Sequence, residues 1–76
     1  MPEPTPAYLL FHTSNHAFRA EKLLAAHGLA VKLVPVPRHL SSDCGVCLRL
    51  APDARQAATE ALAGTGVELA DVHPPL

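Results

Sequence analysis

The sequence predicts an α+β fold of the ferredoxin-like type, with a four-stranded antiparallel sheet and two helices on one face. Two observations support this fold class. Short apolar segments and segments of helical periodicity follow one another in the order βαββαβ. The chain has only 76 residues, and in so short a domain this order most often gives the split βαβ sandwich, because right-handed crossovers restrict the alternatives.

A flexible tail and an apolar strand open the chain. Residues 1–6 alternate proline with other residues, and proline has no N–H group to donate to a helix or a sheet. Residues 7–12 are mostly apolar and lead into three polar residues, which predicts the first strand. Residues 73–76 are again rich in proline, so we expect the folded domain to span residues 7–72.

The first helix is predicted over residues 16–27. Ser14 or Asn15 is expected to cap it, because their side-chain oxygens accept backbone N–H bonds. Gly28 should end it, since glycine adopts positive φ without strain. The apolar stripe expected to face the sheet consists of Ala17, Phe18, Ala20, Leu23 and Leu24.

Two further strands are predicted around a polar loop. Residues 30–36 are apolar and partly β-branched, which is typical of a strand, and residues 38–43 form the loop. Residues 44–50 predict the third strand. Its side chains should alternate between two faces, with one set formed by Val46, Leu48 and Leu50 and the other by Cys47 and Arg49.

A second helix and a fourth strand complete the pattern. Pro52 and Asp53 favour a helix start, with Gln56 placed for a capping box. The helix should run to about Ala63, before a glycine-rich turn, and residues 67–72 predict the last strand.

The charge of the chain limits the classes of partner. The formal net charge is −1 and the six Lys and Arg residues are scattered, which argues against nucleic acid or an anionic membrane. The sequence shows neither a signal peptide nor the apolar run of roughly 20 residues that a spanning helix needs, so we expect a cytoplasmic protein. Two cysteines in that compartment are more often catalytic, redox-active or metal-binding than joined in a structural disulfide.

The predicted topology collects the polar loop and the cysteine that follows it at one edge of the sheet. The first strand ends there, the first helix begins there, and Cys44 starts the third strand there. His73 should lie at the opposite end. A helix N-terminus stabilises the thiolate and so lowers the pKa of a nearby thiol. We therefore expect Cys44 to be reactive, unless it is a structural residue at the start of a strand.

Several neighbours could support an anion held on Cys44. His12, His16, Arg38 and His39 could supply positive charge or hydrogen-bond donors at this edge. Hydroxyl groups and backbone N–H groups could come from Ser41, Ser42 and Gly45.

The C-x-x-C spacing of Cys44 and Cys47 suggests two alternatives. A disulfide needs Cα atoms within about 7 Å, whereas three residues of strand span about 10 Å, so pairing would require a turn at Gly45-Val46. A zinc site would need two more ligands, for which only histidines of the same edge are available. We expect no metal and no other cofactor, and we expect His27 to be an exposed polar residue.

The sheet face away from the helices is also predicted to be apolar. Such a surface would favour a homodimer or a docked partner. The alternative is that a bulge mixes the two faces and breaks the patch. The residues assigned to this face are Tyr8, Leu10, Val34, Val36, Ala70 and Val72.

Three motifs together resemble the selenium/sulfur carrier-like family. They are F-x-T-x-x-x-A near the start, A-E-K-L-L before the helix-ending glycine, and P-V-P-R-H-L-S-S-D-C-G followed by L-R-L. The family consists of small bacterial and archaeal domains, some of them attached to sulfur-transfer domains. The resemblance covers about residues 8–72 and implies that Cys44 is the carrier thiol, with Arg38, Ser41, Ser42 and Gly45 completing the motif.

One position departs from the family pattern. Cys47 stands where the family commonly has a small or apolar residue, so it is either a resolving thiol or a substitute of core size. The chain shows no Ser-His-Asp set, paired acidic site or phosphate loop, which favours a carrier over a turnover enzyme.

The sequence therefore predicts a cytoplasmic carrier that holds sulfur or selenium on Cys44. The expected partners are sulfur- or selenium-transfer proteins, such as a cysteine desulfurase or a TusA-like carrier. The alternatives are a thiol-disulfide redox protein that uses Cys44 with Cys47, and a non-catalytic interaction module in which Cys44 is structural.

Overall fold

The computed structural model describes residues 6–40 and 45–74. Among the predicted site residues, Ser41, Ser42 and Cys44 lie outside the described residues, and so does most of the predicted proline-rich tail. The elements are β1 (Ala7–Phe11), α1 (Ser14–Ala26), β2 (Val31–Pro35), β3 (Val46–Leu50), a 3-10 turn (Pro52–Ala54), α2 (Arg55–Leu62) and β4 (Leu69–His73).

The four strands form one sheet in the order β2-β3-β1-β4, with every neighbouring pair antiparallel. With two helices, this arrangement confirms the predicted ferredoxin-like α+β fold. β3 pairs with both β1 and β2, so Leu48 lies opposite Leu9 on one side and Leu33 on the other. These three residues belong to the packed layer between the sheet and the helices.

The helices contribute small residues and leucines to this layer. Ala17, Ala20 and Leu24 of α1 are fully buried, and Leu62 of α2 is 4% exposed. Phe18 was predicted in the same stripe but is 45% exposed, because residue 18 follows Ala17 by one position and therefore points about 100° away from it around the helix. The described helices include none that is both long and apolar enough to cross a lipid bilayer.

Both helix starts differ from the prediction. α1 begins at Ser14, and its cap is Thr13, whose side chain accepts a 3.3 Å hydrogen bond from the backbone N–H of His16. The predicted capping box at α2 is absent, because the chain enters that helix through a 3-10 turn whose cap makes no side-chain hydrogen bond. Gln56 instead donates to Glu60, 3.3 Å away.

The strand limits also shift. β3 begins at Val46 rather than Cys44, because Gly45 has φ of +78°, which is incompatible with extended strand backbone. β4 runs from Leu69 to His73 instead of residues 67–72. β1 and β2 are each shorter than predicted and lie within the predicted ranges.

A β-bulge changes the two faces of the sheet. Leu10 pairs with Asp71 and Phe11 with Leu69, so Ala70 is an extra residue in β4. After the bulge Val72 lies opposite Leu9 and packs against the core, so its assignment to the outer face, the sheet face away from the helices, is wrong.

The outer face is also less apolar than predicted. Leu10 is only 1% exposed in the single chain, so it adds almost nothing to an accessible patch. Exposed Lys32 and Arg49 lie on this face, and so does Asp71. A bulge is present, as the alternative required, but it removes only Val72 from the outer face. The homodimer stays a prediction.

The burial pattern of α1 predicts unequal costs for two apolar truncations. Leu24→Ala removes a fully buried side chain and should lower the free energy of unfolding by about 2–5 kcal/mol, whereas Phe18→Ala should change it by about 0.5 kcal/mol or less. Urea denaturation of both variants checks this difference. A larger loss for Phe18→Ala would contradict the orientation of α1.

Candidate functional site

The candidate site is the sheet edge where β2 ends and β3 begins. Pro35, the last residue of β2, lies opposite Val46, the first of β3, and α1 begins beyond the same end of β1. His73 pairs with Tyr8 at the other end of the sheet. Gly45 and His73 therefore lie at opposite ends of the sheet. The predicted topology placed Cys44, the residue before Gly45, at the end opposite His73.

The described part of the loop is a tight turn. The backbone N–H of Leu40 donates to the carbonyl of Pro37 at 3.0 Å, so residues 37–40 reverse direction. Arg38 and His39 occupy the two central positions of this turn, and both side chains are exposed. They are therefore accessible to a ligand or a partner at this edge.

Gly45 joins the loop to β3. Its carbonyl accepts a hydrogen bond from the backbone N–H of Val36 at 3.3 Å, which extends the β2–β3 pairing by one step. Its φ of +78° lies in the left-handed region, which glycine adopts without steric cost. The glycine of the Cys-Gly motif thus has a conformational role, since it turns the chain into the strand.

Cys47 lies inside the sheet, on the outer face. It pairs with Leu10 on one side and Val34 on the other, and its side chain is fully buried. The sulfur is 4.0 Å from the carbonyl oxygen of Pro35, to which the thiol donates a weak hydrogen bond. The Cys47 side chain is therefore enclosed within the sheet and not accessible to a partner in the folded protein.

A continuous strand does not separate the two cysteines. β3 begins two residues after Cys44, and the backbone bends at Gly45, which is one of the two positions where a Cys44–Cys47 disulfide would require a turn. Cys44 lies outside the described residues. The disulfide alternative stays a prediction, which a loss of about 2 Da in intact-protein mass would support.

The histidines of the edge are dispersed. His16 accepts a hydrogen bond at Nδ1 from the backbone N–H of Glu68, 2.9 Å away, so this nitrogen is already engaged. His12 and His39 are exposed. Among residues 6–40 and 45–74, no three His, Cys, Asp or Glu side chains are close enough together to hold a metal ion.

Two histidines make hydrogen bonds to the backbone. The His16–Glu68 bond joins the first turn of α1 to the segment that enters β4, and no local sequence signal could have revealed it across 52 positions. His27 is exposed, as predicted, and its Nδ1–H donates to the carbonyl of Leu23 at 2.8 Å.

The chain is thus a small ferredoxin-like domain with a Cys-Gly motif between its second and third strands, and the glycine of this motif adopts a positive φ. Comparison with protein families matches residues 7–74 to the family described as "Putative Se/S carrier protein-like". The chain belongs to this family, which confirms the resemblance seen in the sequence. Comparison with curated proteins gives no match. Comparison with solved structures gives none either.

The burial of Cys47 predicts that its thiol is protected in the folded protein. In a Cys44→Ser variant, iodoacetamide should alkylate Cys47 at least about tenfold more slowly than in denaturant, because reaction must wait for local opening. The Cys47→Ser variant serves as the matched control. Equal rates for Cys47 in native buffer and in denaturant would contradict its buried position.

The backbone of Gly45 predicts a specific order of stability. Gly45→Ala should cost about 1–2 kcal/mol of unfolding free energy, because alanine is disfavoured in the left-handed region. Gly45→Asn should cost less, since asparagine tolerates that region better. No described atom would crowd an added Cβ, so a loss measured by urea denaturation reports backbone conformation. If Gly45→Ala were as stable as the parent, the assigned φ would be wrong.

Proposed function

We propose that this protein carries sulfur or selenium on Cys44 and passes it to a partner protein. Membership in the Se/S carrier-like family is the observation that carries this proposal. Cys44 is the cysteine of the Cys-Gly motif that the resemblance assigns as the carrier thiol. Cys47 is less suited to exchange with a partner, because its side chain is buried.

The proposed chemistry is sulfane-sulfur exchange. The Cys44 thiolate attacks the outer sulfur of a donor persulfide, a new S–S bond forms on Cys44, and the donor S–S bond breaks to release the donor thiolate. The outgoing step is the same reaction with an acceptor thiolate as the attacking group. Each step exchanges one S–S bond for another, so no external oxidant or reductant is consumed.

The described residues of the edge support an anionic sulfur species. α1 has no acidic side chain in its first turn, so no residue of that turn offsets the positive end of the helix dipole. Arg38 and His39 are exposed in the adjoining loop. Ser41, Ser42 and Gly45 complete the proposed supporting group, in which hydroxyls and a backbone N–H would bind the charged sulfur.

A partner must reach Cys44 for transfer to occur. The proposed donors and acceptors are other sulfur- or selenium-transfer proteins, with a cysteine desulfurase as the simplest source of persulfide. An interaction module without chemistry and a redox protein that cycles a Cys44–Cys47 disulfide are the competing functions. The carrier, the redox protein and the interaction module can be distinguished by the change in intact-protein mass, which differs among them.

Loading from a cysteine desulfurase supplied with cysteine tests the proposal. Intact-protein mass should rise by about 32 Da for one added sulfur. Cys44→Ser should abolish this gain, whereas Cys47→Ser should retain it, because the proposed carrier thiol of Cys44 is still present. Circular dichroism of each variant confirms that the fold persists.

Two results would contradict the carrier function. A loss of about 2 Da without sulfur gain would indicate an intramolecular disulfide and a redox protein. An unchanged mass, with the desulfurase shown to load a known acceptor thiol in the same mixture, would indicate an interaction module.

A further inference from the structure

A row of polar side chains crosses the outer face at the end of the sheet far from Gly45. Lys32 of β2 lies directly opposite Arg49 of β3, Arg49 lies opposite Tyr8 of β1, and Tyr8 lies opposite His73 of β4. Directly opposed residues of antiparallel strands share a face. The neighbouring residue on each strand packs toward the helices, so this row belongs to the outer face.

The two cations of this row are not neutralised within the described chain. Lys32 and Arg49 are both exposed, and like charges placed directly opposite each other destabilise a sheet. Among the described residues, no carboxylate lies within 4.0 Å of either side chain. The carboxylate of Asp71, on the same face, is 2.9 Å from Nε2 of His73 and is thus engaged elsewhere.

An apolar depression adjoins the cations. It has a volume of about 530 Å³ and lies at the same end of the sheet, with Lys32 and Arg49 on its wall. The rest of its lining is mainly apolar and includes Pro6, Ala30, Leu50 and Ala51. Two cations beside an apolar depression fit a ligand that carries negative charge next to an apolar side chain.

We propose that this surface, formed by Lys32, Arg49, Tyr8 and the adjoining depression, docks an acidic segment of a partner protein. The carboxylates of the segment pair with Lys32 and Arg49, and an apolar side chain enters the depression. A polypeptide is favoured over nucleic acid, because two cations on a chain of net charge −1 supply too little charge for phosphate binding. The depression favours it over a free anion, since it gives an apolar group a place to bind.

The proposed docking surface is spatially separate from the loop edge, so binding there does not depend on the chemistry of Cys44. Because it lies at the opposite end of the sheet from Gly45, a docked segment leaves the loop edge uncovered. The docking surface would therefore remain if the carrier function were wrong.

Binding of a defined probe tests the proposal. A short synthetic peptide of alternating glutamate and leucine is titrated into the ¹⁵N-labelled full chain, with its lysine-leucine counterpart, a single-stranded RNA and phosphatidylserine vesicles as comparison ligands. We expect the acidic peptide to shift the amide signals of residues 30–32 and 49–51. The Lys32→Glu/Arg49→Glu variant should bind it at least about tenfold more weakly.

A matched control separates the site from overall charge. Arg19→Glu/Lys22→Glu makes the same charge change on exposed positions of α1 and should leave the affinity within about twofold. Equal weakening in both variants, no binding of the acidic peptide, or tighter binding of RNA or vesicles would each overturn the proposal. A circular dichroism spectrum like that of the parent is required of both variants before affinities are compared.

Discussion

The pairing register of β3 determines which side chains form the core and which form the outer face. β3 lies between β1 and β2, so its alternation decides which side chains of three strands face the helices. Leu48 in register with Leu9 and Leu33 places leucines in the core. A slip of one residue would exchange every side chain between the faces and bring Arg49 into the core, at a large cost in desolvation.

The same register determines the two surfaces of functional interest. The first residue of β3, Val46, follows Gly45, so the Cys-Gly motif joins the sheet at the loop edge. The fourth residue of β3, Arg49, pairs with Lys32 and Tyr8 at the other end of the sheet. The candidate carrier edge and the proposed docking surface lie at the two ends of β3, which is five residues long.

Much of the fold could be predicted, because it depends on local pattern. The alternation within residues 46–50 correctly assigned Cys47 to the outer face, and helical spacing correctly assigned Ala17, Ala20 and Leu24 to the core. The bulge at Ala70 could not be predicted, since one extra residue in β4 is visible only when its pairing with β1 is known. Val72 consequently faces the helices. The row from Lys32 to His73 likewise requires the register of strands that are distant in sequence.

Localising the persulfide in the wild-type protein tests whether Cys44, and not Cys47, holds the transferred sulfur. After loading by a cysteine desulfurase and trapping with iodoacetamide, trypsin releases the segment from residue 39 to residue 49, which contains both cysteines. Fragmentation of this peptide assigns the additional sulfur to one of them. We expect the trapped persulfide on Cys44 and an unmodified Cys47. A persulfide found on Cys47, with Cys44 unmodified, would contradict it.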